Sequence, residues 1–139
     1  MSGKAHQNTA MTKPGKTGIG RLVAATGYSI KGFKAAWQHE EAFRTEILVA
    51  LVLIPLAFWL GQNAAERGLL LLTLSLVIIA ELANTAIESI VDRIGSEHNP
   101  LSGQAKDLGS AIVLVTLILF LVIWVPSLWQ FTRHLLASA

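Results

Sequence analysis

No cysteine occurs in the 139 residues, which removes disulfides, thiolate nucleophiles and cysteine-ligated zinc together. Charge is scarce too: 14% of residues are charged against 53% hydrophobic, where an ordinary soluble domain carries about 25% charged residues. That balance argues against a soluble globular protein. The length allows one domain and excludes a large catalytic fold such as a doubly wound kinase domain or a barrel. Histidines are few, and His6, His39, His98 and His134 show no ligand-like spacing, so a histidine metal site is not expected.

What is present is long apolar sequence. From Leu108 to Thr132 no residue is charged, more than the roughly 20 helical residues that cross a bilayer core. Trp124 and Trp129 near the end of this run read as an aromatic belt, and Pro126 is expected in the last turns of the helix, where a missing backbone donor costs least. A second run, Gly68 to Ala80, is interrupted by Glu81 but keeps its helical pattern toward Gly95. A third, Ile47 to Gly61, contains Pro55 and is bounded by Glu46 and by Glu66-Arg67. The expected fold is therefore all-α, with three transmembrane helices at about 42–61, 67–92 and 107–131 in a single domain spanning 20–139.

Orientation follows from the basic residues. Lys4, Lys13, Lys16, Arg21, Lys31, Lys34 and Arg44 precede the first span, Arg93 and Lys106 lie between the second and third, and only Arg67 and Arg133 fall on the other side. This asymmetry places the N-terminus and the 92–107 loop in the cytoplasm and the C-terminus outside. The basic residues flank the membrane, so nucleic acid is not an expected partner.

Residues 1–19 are polar and glycine-rich, are expected to be a disordered tail, and lack the apolar core of a signal peptide. Gly15-Lys16-Thr17 looks like the end of a phosphate-binding loop, but Ala10 stands where its first glycine belongs and no strand precedes it. Over about 20–40 the pattern changes: Ile30, Phe33 and Trp37 form an apolar stripe, and Lys31, Lys34 and Gln38 follow one step on. Such a helix is expected to lie in the membrane interface.

Carboxylates interrupt the membrane pattern at one place. Glu81, Asn84, Glu88 and Asp92 fall within an arc of about 80° on the second span. A carboxylate inside a span costs up to about 2.5–3.5 kcal/mol at the centre, so it is normally kept for a partner or a function. Asn84 alone would serve equally as a helix–helix hydrogen-bonding group. Nearby, Glu40 and Arg44 are spaced i, i+4 for a surface ion pair, and Asn99-Pro100-Leu101-Ser102-Gly103 reads as a turn leading to Lys106-Asp107. Acids for Mg²⁺, a buried acid as base and a lysine for phosphate are the parts of phosphoryl transfer. Two readings of other classes compete: a small proton-coupled transporter, which would want its acid near mid-span and open to both sides, and a structural subunit of a larger membrane complex.

Three segments narrow the choice. GYSIKGFKAAWQHEEAFRTE (27–46), ELANTAIESIVDRIGSE (81–97) and LSGQAKDLGSA (101–111) resemble the bacterial integral-membrane diacylglycerol kinase family over roughly residues 20–130. The resemblance implies a homotrimer in the bacterial inner membrane, with a surface helix and three spans per subunit and active sites shared between subunits. It further implies phosphorylation of diacylglycerol to phosphatidic acid by Mg²⁺-ATP; the related undecaprenol kinases share the motif and offer another lipid alcohol. By matching position, Glu81 resembles the family's general base, and Glu40 with Glu88 its Mg²⁺-nucleotide ligands. Arg21, Tyr28, Glu97, His98, Asn99, Lys106 and Asp107 match nucleotide positions. Lys34, Trp37, Phe43, Arg44, Glu46 and Ser110 match lipid positions, and Asn84 and Asp92 match supporting ones. His39, Glu41, Ala24 and Asn99-Pro100 depart from the family's usual residues, while the metal and base positions are intact.

Overall fold

A computed structural model describes residues 18–95, 97 and 99–138. The 1–17 segment, with Gly15-Lys16-Thr17, and His98 lie outside the described residues. Four helices follow in order: α1 (Ile19–His39), α2 (Glu41–Leu60), α3 (Ala64–Ile94) and α4 (Pro100–Ser138). The last three are each long and apolar enough to cross a membrane.

Two compact units divide the described chain, one ending at Lys34 and the other running from Ala35. In the first, α1 carries its apolar side chains Leu22, Val23 and Ile30 exposed. In the second, α3 packs chiefly on α4 and secondarily on α2. Its core gathers where α2 turns into α3: Ala50, Ala57, Leu60, Leu70, Leu74 and Trp124 are buried together, with Phe120, Ile123 and Phe131 against them. Alanines at 50 and 57 let the helices approach, and the large residues fill the gap from α3 and α4. Elsewhere Leu, Ile and Val side chains stand exposed along all three spans, as expected of surface that lipid covers.

The turns explain the helix ends. At the α2–α3 turn Asn63 Oδ1 accepts from the Glu66 backbone N–H at 3.0 Å, and Glu66 returns the bond through Oε1 to Asn63 Nδ2 and through Oε2 to the Gln62 N–H, both 2.9 Å. This reciprocal cap satisfies donors that a helix start leaves open. Gly61 is needed there, because a Cβ would meet Arg67 Cγ at 2.5 Å and the Arg67 backbone nitrogen at 2.9 Å. At the other end α3 stops at Gly95, whose φ of 153° suits glycine.

Several expectations are corrected. The 92–107 segment is not a long loop: α3 runs to Ile94 and α4 begins at Pro100. Asn99 Oδ1 accepts from the backbone of Leu101 at 2.9 Å, so Asn-Pro is a helix start here, with asparagine capping and proline in the first turn. Because α4 continues to Ser138, Pro126 lies well inside it rather than in its last turns. Trp124 is no belt residue; it is buried, and its indole Nε1 donates to the Leu70 carbonyl at 3.3 Å. Trp129 and Trp59 are the exposed indoles at that end. Finally, the Glu40–Arg44 ion pair does not form: Arg44 Nη1 donates instead to the carbonyls of Trp37 at 3.1 Å and Gln38 at 3.4 Å, closing the end of α1, whose last carbonyls are free acceptors.

Candidate active site

Seen from α3, the acids do not occupy a separate polar face. Leu70, Thr73, Leu74, Val77, Ala80 and Glu81 are all buried along one stripe, and Asn84 and Glu88 continue it half-buried toward the α3–α4 turn. Three- and four-residue spacing keeps the whole series against the neighbouring helices. The same stripe thus begins as hydrophobic core and ends as carboxylates, and Glu81 is the residue at which it changes.

Glu81 has company. Glu40, in the link before α2, and Glu88, two turns along α3, both lie near enough to act on it electrostatically, and Glu46 of α2 is its neighbour in the same sense. Four carboxylates from three segments therefore share one electrostatic environment. Beside them Asn84 Nδ2 donates to Glu88 Oε1 at 3.1 Å, fixing that carboxylate. Asn84 Oδ1, Glu46 Oε2 and Thr85 Oγ1 are buried without a hydrogen-bond partner. Unpaired buried acceptors are costly, so these atoms are places where a ligand or its water would restore bonding.

On the membrane side an apolar cleft of about 130 Å³ is lined by Thr45, Glu46, Val49, Leu53, Leu74, Val77, Ile78, Leu117 and Phe120. Glu46 is its one charged wall. The cleft is shaped for hydrocarbon and meets the acid cluster through a residue common to both.

On the other side lies the α3–α4 turn. A hollow there is lined by Ile94, Gly95, Glu97, Asn99 and Ser102. Lys106 Nζ bonds Asp92 Oδ1 at 2.6 Å across the two helices, the one ion pair among the described residues. Both groups are largely exposed, so this contact orients the lysine more than it stabilises the bundle.

Among the remaining candidates, Asp107 and Ser110 are exposed on α4. Arg21, Tyr28 and Lys34 are exposed on α1, in the other compact unit. Trp37 keeps substantial exposure, whereas Phe43 is fully buried. Asn99 is committed to capping α4.

One residue that sequence reasoning passed over is Gly109. It is buried where α4 crosses α3, and a Cβ at this position would collide with Asn84 Oδ1 and touch Ile87. A glycine inside an otherwise strong helix, beyond its first turn, was the available signal, since it costs about 1 kcal/mol against alanine and so asks for a packing reason. Gly109→Ala is expected to displace Asn84 from Glu88 and to lower turnover on the order of tenfold, the usual effect of losing a group that orients a functional carboxylate. Gly103→Ala, which meets open space, should leave turnover unchanged in the same assay; equal rates for both would show that Asn84 is not held this way.

Hard oxygen donors of this kind fit Mg²⁺, which takes one or two carboxylates, keeps its waters and shares the rest with phosphate. No group of three or more His, Cys, Asp or Glu residues spaced to enclose a metal occurs among the described residues.

Residues 27–128 match the family described as prokaryotic diacylglycerol kinase. The chain is 49% identical to the diacylglycerol kinase of Escherichia coli (strain K12) over 114 residues, 82% of this chain and 93% of that one. It is 48% identical to the Pseudomonas aeruginosa diacylglycerol kinase over 110 residues, 79% and 89% of the two chains. With the Helicobacter pylori (strain 26695) diacylglycerol kinase it shares 43% over 111 residues, 80% and 87%. Arg21 precedes the stretch that matches the family, and residues 129–139 follow it.

Proposed function

This chain belongs to the prokaryotic diacylglycerol kinase family, phosphorylates diacylglycerol with ATP, and, we propose, does so with Glu81 as the base at the meeting point of the lipid cleft and the metal carboxylates. Family membership sets aside the transporter and structural-subunit readings. The observation that carries the proposal is the position of Glu81: buried on α3 and one turn from the cleft wall at Val77.

The chain's own residues divide the work. The apolar cleft takes the acyl chains and brings the free hydroxyl to the end marked by Glu46 and Glu81. A Glu81 oxygen accepts the hydroxyl proton while the alcohol oxygen bonds to the γ-phosphorus. The bond from that phosphorus to the β–γ bridging oxygen breaks, leaving phosphatidic acid and ADP. Glu40 and Glu88 would hold Mg²⁺, which when bound neutralises charge on the nucleotide phosphates. Lys106, aimed by Asp92, meets phosphate oxygens, and Glu97, Asn99 and Asp107 border the nucleotide at the α3–α4 turn. By matched position Arg21, Tyr28 and His98 join them, and Lys34, Trp37, Arg44 and Ser110 serve the lipid headgroup region.

Assembly and placement belong to the same proposal. Ala83, Ala86 and Ser89 are exposed on α3 beside the acid stripe, and small residues there permit the close helix approach of a homotrimer with shared sites. The bias of Lys and Arg puts the acid end at the cytoplasmic face of the inner membrane, with α1 lying in that interface.

Radiolabelled ATP offered with diacylglycerol, and separately with undecaprenol, in mixed micelles tests the reading. Label is expected in phosphatidic acid, with Mg²⁺ required. Label that appears only in the polyprenyl phosphate would replace the substrate, and label in neither would remove the reaction.

A further inference from the structure

The far end of the bundle carries a second polar pocket that the phosphoryl-transfer reading does not use. It is lined by Gln62 of the α2–α3 turn and by Gln130, Arg133, His134 and Ala137 of α4. The four α4 residues are spaced i, i+3, i+4 and i+7, so they form one face of the helix. All of them lie beyond residue 128, where the family match ends. This extension is held in place by packing: Phe131 belongs to the periphery of the core, and its ring lies 5.0 Å from that of Trp59 at a tilt of 59°.

Every polar side chain lining the pocket offers an N–H: a guanidinium, an imidazole and two carboxamides. No acid lines it. The nearest carboxylate in sequence, Glu66, turns both oxygens into the cap of α3, one toward Asn63 Nδ2 and one toward the Gln62 backbone N–H. A guanidinium set among imidazole and carboxamide N–H donors suits an anion, and the fork of an arginine suits phosphate. The surroundings say which kind of phosphate. Leu128, Leu135 and Leu136 are exposed on the same stretch of α4, and the indoles of Trp59 and Trp129 stand exposed at this level. An apolar flank with interfacial tryptophans suits a ligand with a polar head and hydrocarbon tails.

We propose that this pocket binds the phosphate of an anionic phospholipid from the leaflet opposite the carboxylate cluster, with Arg133 and His134 as its principal ligands. The site is separate from catalysis and stands whether or not Glu81 is the base.

Native mass spectrometry of the full-length protein in mild detergent tests it, with phosphatidylglycerol and phosphatidylcholine of identical acyl chains as probes. Wild type is expected to retain phosphatidylglycerol in preference to phosphatidylcholine. The Arg133→Gln/His134→Gln pair should lower phosphatidylglycerol retention about tenfold with unchanged kinase turnover, which also reports that it folds. Arg133→Lys, keeping charge without the fork, should fall between. No lipid preference in wild type, or a preference that survives in the double variant, overturns the proposal. Displacement of the lipid by millimolar inorganic phosphate also overturns it, because the pocket would then be a site for free anions.

Discussion

Glu81→Gln is expected to lower kcat by about 10²–10⁴-fold, the usual contribution of a positioned general base, while leaving the KM for ATP close to wild type. The substitution preserves size and shape, so the buried stripe of α3 keeps its packing. It removes the one property the proposal needs, a carboxylate able to take a proton from an alcohol in water-poor surroundings. Nucleotide binding should survive because the proposed metal carboxylates are elsewhere: Glu88 stands seven residues on, roughly 10 Å of helix rise toward the α3–α4 turn. The split between kcat and KM distinguishes a base from a binding group. Assays in mixed micelles at saturating lipid, with thermal inactivation as a check on folding, decide it. Near-normal turnover in this variant would end the assignment, and a raised KM for ATP with unchanged kcat would move Glu81 to the metal instead.

The logic of that experiment was partly visible in the sequence. A run of apolar residues that tolerates Glu81, Asn84 and Glu88 at helical spacing has to explain its acids, and the three spans follow from bilayer thickness alone. Hidden from the sequence was that the acids share a stripe with the core, because periodicity fixes which residues share a face but not which partner that face meets. Trp124 shows the same limit: an indole near the end of a span is equally suited to a headgroup belt and to a core carbonyl, and only the crossing of α4 over Leu70 decides. Asn99-Pro100 has the composition of a turn, yet the same two residues are a strong helix start once the chain beyond them is helical. Spacing suits Arg44 to Glu40, whereas the open carbonyls of Trp37 and Gln38 compete for the guanidinium and win. In each case composition is compatible with two partners, and the one that wins becomes available only once the helices have formed.

Glu88→Gln is expected to act differently from Glu81→Gln, raising the Mg²⁺ concentration for half-maximal rate on the order of tenfold, or about 1.4 kcal/mol of lost affinity, with much of kcat recoverable at high Mg²⁺. The Glu88 carboxylate accepts from Asn84 Nδ2 at 3.1 Å, and Asn84 is in turn confined by Gly109. Glu40→Gln should shift the Mg²⁺ dependence in the same direction, since Glu40 approaches the cluster from the link between α1 and α2 with a charge that Glu81 senses. A double-mutant cycle sharpens the test. If Asn84 works by orienting Glu88, then Asn84→Ala added to Glu88→Gln should cost much less than Asn84→Ala alone, because its partner is already gone. Full additivity would give Asn84 a role of its own, independent of the carboxylate; an unchanged Mg²⁺ dependence in both single carboxylate variants would exclude Glu40 and Glu88 as the metal's ligands and leave the cluster's charge to be explained by the nucleotide or the lipid head.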